Sequence, residues 1–172
     1  MKPHQQLGSF LAHAVVLEDE AAERYDELAD VMDTHNNDEV AELFRKMAGY
    51  SRLHRAEATE HAGRHAGGLP PLKAWEFHWP GRESPESAAM ELSHYLMTPH
   101  HALKLALAAE IQARDFYAGV AEATDDPAIA ALAREFAEEE GEHAEALEAW
   151  IARYPEPEPG WDEDLDPPAQ VE

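Results

Sequence analysis

Apolar residues recur along this chain with helical spacing. Leu7, Leu11, Ala14, Ala21, Tyr25, Leu28 and Met32 share one stripe, which predicts a helix over about residues 5–33. The turn formers of "DTHNND" end it. Val40, Leu43, Met47 and Ala58 predict a second helix over 37–66, stopped by "AGGLPP". Thr98 before Pro99 reads as an N-cap followed by the first helical position. From there Leu103, Ala106, Ala113, Tyr117 and Val120 carry a third stripe over 99–123. After "TDDPA", Ile129, Leu132, Phe136 and Leu147 carry a fourth over 126–153.

Every stripe is interrupted near its middle by a polar group. Glu18 stands inward on the first helix, Ser51 and His54 on the second, with His61 further along. Glu110 occupies this place on the third helix, and Glu140 with His143 on the fourth. A lone carboxylate is costly to bury, so such a residue is paired, protonated or bound to a metal. Glu140 and His143 are three residues apart, about 4.5 Å of rise on one face, so both can reach one ion. Glu20 points away from Glu18 and is expected in solvent. Glu139, four residues before His143, can also turn inward.

The segments between and after the stripes differ in composition. Residues 67–98 hold "LPPLKAWEFHWPGRESPE", whose aromatics and prolines predict an extended connection packed over the helices, with a short helix over Glu86–Leu96. Residues 155–172 form an acidic, proline-rich tail, expected to be disordered or draped on a surface. The chain thus divides into an all-α domain over 1–154 and a tail.

Charge and cysteine content narrow the function. Thirteen Lys and Arg against thirty-six Asp and Glu give a formal charge of −23, which argues against nucleic-acid backbones and anionic membranes as partners. The chain has no cysteine, which excludes thiolate catalysis, Cys-based zinc sites and rubredoxin-type iron centres. Neither a signal-peptide h-region nor a membrane-length apolar run stands in the sequence. The expectation is a soluble cytoplasmic protein.

The helices repeat pairwise. "EDEAAERY" from Glu18 and "EIQARDFY" from Glu110 share Glu, Ala and Tyr at the same spacing, 92 positions apart. Val40, Leu43, Met47 and His54 match Ile129, Leu132, Phe136 and His143 at an offset of 89. Each half is therefore a helical hairpin with a polar centre.

With Glu18, Glu110, Glu140-x-x-His143, Tyr25, Tyr117 and the turn "TDDPAI", the sequence resembles the ferritin-like superfamily, in its rubrerythrin-like branch without the rubredoxin domain. The resemblance covers about residues 5–153, apart from most of 67–98. It implies a four-helix bundle of two hairpins joined by a long crossover, holding metal between the helices. It further implies Glu18 and Glu110 as terminal ligands, Glu140 as a bridge, and His54 and His143 as one nitrogen ligand per metal. Mixed carboxylate and imidazole donors suit iron, with manganese or zinc as alternatives, and one or two ions per chain.

Two positions depart from the family pattern. Ser51 stands where a bridging glutamate is usual, and a hydroxyl is a poor substitute. Glu57, one turn beyond His54, is a candidate replacement ligand. Ala113 stands where rubrerythrins carry an extra carboxylate. The leading expectation is a metal centre that oxidises ferrous iron or reacts with dioxygen or peroxide. The alternative is a non-enzymatic metal-binding or structural bundle with a degraded site. Tyr25 and Tyr117 read as core packing before electron transfer, and the "WEFHWPG" aromatics as packing. His94, His100 and His101 read as incidental surface histidines before a second metal site, and His61 as a capping or hydrogen-bonded residue. The resemblance also implies a homodimer; the redox partner is not specified by any of these residues.

Overall fold

A computed structural model of the chain describes residues 3–65, 67–70 and 97–156. Among these are four helices: α1 Pro3–Thr34, α2 Asp38–His65, α3 Pro99–Ala123 and α4 Pro127–Ile151. All four lie within a few residues of the spans their apolar stripes predict. The expected helix over Glu86–Leu96, the "WEFHWPG" aromatics, His94 and the tail beyond residue 156 lie outside the described residues.

Local chemistry sets the helix ends. α1 closes through Asn36 in the left-handed region, φ 59°, and the Asn37 amide donates to the Met32 carbonyl at 2.8 Å. This satisfies a carbonyl that the helix itself leaves unpaired. Gly67 serves α2 in the same way, with φ 75° and the Gly68 amide donating to Ala62 at 2.8 Å. Thr98 caps α3, its hydroxyl accepting from the His101 amide at 3.2 Å, with Pro99 at the first turn. Asp126 caps α4, accepting from Ala128 at 2.9 Å and Ile129 at 3.4 Å.

α1 packs along α2 and α3 along α4, and α1 also touches α3 and α4. The result is the expected four-helix bundle of two hairpins. α2 and α4 run antiparallel where they meet. Tyr50 stacks on His143, and one turn further along α2, His54 faces Glu139, one turn back along α4.

The buried apolar side chains fall into two clusters. One centres on Tyr25, Leu28, Met32, Phe44, Met47 and Leu103. The other centres on Phe10, Leu11, Leu17, Phe116, Tyr117 and Phe136. Between them lies the layer of Glu18, Ser51, Glu110 and Glu140, all buried. Some positions differ from the stripes read in the sequence. Phe10 and Phe44 are buried where Leu7 and Leu43 were expected, and those leucines, with Val120 and Leu132, are half-buried at the margin. The larger aromatic surface gains more from burial and takes the interior place.

His100 is also not a surface residue. It is buried, and its Nδ1 lies 3.2 Å from the carbonyl oxygen of Tyr154, tying the end of α4 to the start of α3. The charged faces carry exposed ion pairs such as Arg55–Asp19 at 3.0 Å between α2 and α1, which contribute little to stability individually. No helix among the described residues is long and apolar enough to cross a membrane.

Candidate metal centre

The five residues predicted as ligands converge between the two apolar clusters. Glu18, Glu110 and Glu140 are buried to 5%, 3% and 4% exposure. His54 and His143 are half-buried, their rings stacked 5.5 Å apart and 9° from parallel. The pseudo-repeat thus brings the two imidazoles side by side at the bundle's edge, with the carboxylates beneath them.

The donors fall into two sets, each with its ligand atoms within 4.8 Å of one another: Glu18, His54 and Glu140, and Glu110, Glu140 and His143. Glu140 belongs to both. His54 Nδ1 is 3.7 Å from Glu18 Oε1. His143 Nδ1 is 3.4 Å from Glu140 Oε2 and 3.6 Å from Glu110 Oε2.

Electrostatics couples these groups. The Glu140 carboxyl is pushed well above the usual carboxylate range, first by burial and then by the adjacent Glu110 and Glu18. Glu110 moves the opposite way. Burial would raise it, but hydrogen bonds from Glu140 and His143, with the Arg24 charge, outweigh this and lower it. The two carboxyls behave as one proton-sharing unit. The His54 imidazole is raised, chiefly by the facing Glu18 carboxylate and against burial.

Arg24 was not anticipated from the sequence. It is 1% exposed, its Nη2 is 4.0 Å from Glu110 Oε1, and its guanidinium lies 4.5 Å above the Tyr25 ring. The Tyr25 hydroxyl donates to Glu110 Oε1, so this tyrosine does more than fill space. Tyr117, its counterpart in the repeat, is equally buried. Its hydroxyl has no hydrogen-bond partner among the described residues. Burial, followed by the charges of Glu18 and Glu140, raises its pKa well above normal.

The remaining candidates fall around this core. Ser51 is buried, so α2 offers the two sets a nitrogen but no carboxylate. Glu57 is exposed and groups with His54 and Glu139 rather than with Glu18 and Glu140. Glu20 is half-buried and outside every donor set. His61 is half-buried, its ring 5.9 Å from that of His65. His101 is half-buried at the start of α3.

This donor set fits divalent cations. Three carboxylates crowded into a layer between apolar clusters repel one another, and a bound cation offsets that repulsion while using both oxygen and imidazole nitrogen.

Comparison with known proteins agrees with the geometry. The sequence matches the family model described as Rubrerythrin over residues 9–71 and 101–167, which omits most of the aromatic connection. No curated protein matches the chain. The fold is similar to the crystal structure of an uncharacterized conserved protein from Magnetospirillum magnetotacticum MS-1. That chain is 43% identical, with a TM-score of 0.72, and the alignment covers 88% of this chain and 97% of that one. The chain belongs to the rubrerythrin family of the ferritin-like superfamily.

Proposed function

We propose that this protein binds iron between its helices, one ion against each donor set, and oxidises ferrous iron with dioxygen or peroxide. The observation that carries this reading is the sharing of Glu140 by two sets that each hold a terminal carboxylate and an imidazole. Glu18 and Glu110 would be terminal ligands, Glu140 would be shared between the ions, and His54 and His143 would each serve one ion. When bound, the iron supplies the electrons that reduce the oxidant.

The chain's own residues prepare that chemistry. Glu18, Glu110 and Glu140 neutralise charge where water is largely excluded by the two apolar clusters. Tyr25 fixes the Glu110 carboxylate by donating to one of its oxygens, leaving the other toward His143. Ala113 provides no further carboxylate, and these 172 residues contain no cysteine to ligate a rubredoxin-type iron. The full rubrerythrin peroxidase cycle is therefore not part of the proposal.

Stopped-flow absorbance after mixing the protein with ferrous iron and oxygen tests this reading. Oxidation faster than the buffer rate is expected, and a rate equal to buffer overturns it. Ser51 favours a second reading, a metal-binding bundle without redox turnover. One redox-inert ion per chain by elemental analysis would support that alternative.

A further inference from the structure

His54 has a second face. Its Nδ1 looks inward to Glu18 at 3.7 Å, while its Nε2 looks outward to Glu139 Oε2 at 3.5 Å. On that outer side, His54, Glu57 and Glu139 form a third donor set with ligand atoms within 4.8 Å. It differs from the inner sets in its access to water, because Glu57 is exposed and Glu139 half-buried.

The antiparallel register of α2 and α4 extends this line of donors outward. His61 is one turn beyond Glu57 and Glu135 one turn before Glu139, each about 6 Å along its helix. Both line a cavity of about 500 Å³, which His65 and Asp126 also border. Along the two helices, His61 and Glu135 at this cavity are thus followed, one turn nearer the bundle centre, by Glu57 and Glu139. Repelling carboxylates along a partly buried seam attract divalent cations.

We propose that His54, Glu57 and Glu139 form a transit site through which divalent cations enter the bundle along the α2–α4 seam. This rests on the metal-binding part of the function proposed above. A neutral imidazole has one nitrogen lone pair, so His54 serves one ion at a time. With an ion at Nε2, the Nδ1–H would face Glu18; with an ion at Nδ1, the Nε2–H would face Glu139. The outer and inner sets therefore compete for His54. An ion held outside gives up this ligand when the inner position fills, as a transit site requires.

The test is stopped-flow cobalt(II) loading, followed by the visible absorbance of the bound ion, with final stoichiometry from equilibrium dialysis. The proteins are wild type, the double variant Glu57→Gln/Glu139→Gln, and a charge-matched control, Glu23→Gln/Glu27→Gln, on the exposed face of α1. The seam variant should load about tenfold more slowly or worse, reach the wild-type stoichiometry, and differ from a control that loads at the wild-type rate. Equal rates for seam variant and wild type overturn the transit site and leave the inner centre standing. Equal slowing in the control overturns it too, because the general field would then be the cause. A seam variant that ends with fewer inner ions also overturns it, since Glu57 or Glu139 would then be an inner ligand. If wild type takes up no cobalt at all, both this proposal and the metal-binding reading fall.

Discussion

The two tyrosines of the repeat offer a sharp test of how the centre is held. They occupy equivalent positions and both are fully buried, yet only Tyr25 donates to a carboxylate among the described residues. Tyr25→Phe keeps the ring and its 5.9 Å contact with Phe44 but leaves Glu110 without this donor. Hydrogen bonds to charged groups contribute about 1.5–3 kcal/mol. Arg24, 4.0 Å from the same oxygen, can recover part of that, so about 2 kcal/mol is the expected loss. For a chain of this size that corresponds to a melting temperature lower by about 4–8 °C. Tyr117→Phe removes a buried hydroxyl that no described residue accepts from, and should be neutral or slightly stabilising. Both variants are to be melted by circular dichroism in the presence of chelator, so that bound metal does not contribute. Equal melting temperatures for the two variants would refute the asymmetry.

Other outcomes follow from the same geometry. Ser51→Glu, at a buried position one turn before His54, should tighten the ion beside His54, which without it has no carboxylate from α2 and is expected to be the weaker of the two. Calorimetric titration with cobalt that shows two equally tight sites, indifferent to the substitution, would count against this ligand assignment. Cation binding should displace the proton that the raised Glu140 carboxyl retains. Affinity should therefore rise with pH toward that group's pKa, and titration in buffers of different ionisation enthalpy should reveal the released proton. A homodimer is expected, with Leu53 and Tyr50 among the exposed apolar side chains available to it; a monomer mass by light scattering at micromolar concentration would refute it.

Much of this molecule is legible in its sequence. The four stripes and the Thr98–Pro99 cap are local patterns, and local patterns place helices. Glu18, His54, Glu110, Glu140 and His143 stand out because each interrupts an apolar stripe with a polar group, and the resemblance to the rubrerythrin-like branch implies that they are ligands. What escaped depends on which helix lies opposite. Arg24 stands on an adjoining stripe with Leu17, Ala21 and Leu28, so a chain of apolar neighbours did exist to mark it as inward. Its guanidinium, a cation, is no metal ligand and bears on the centre through Glu110. The grouping of Glu57 with Glu139 reflects the register of α2 against α4, which the periodicity of a single helix does not contain. His100 is buried by the end of α4, a contact between residues 54 positions apart. Phe10 and Phe44 displaced the leucines because the bundle interior had room for the larger ring.

The most direct test of the central claim is anomalous diffraction from crystals loaded with iron or cobalt. Two peaks are predicted on either side of Glu140, one beside Glu18 and His54 Nδ1, the other beside Glu110 and His143 Nδ1. Peaks confined to surface histidines, with none in the layer between the two apolar clusters, would contradict it.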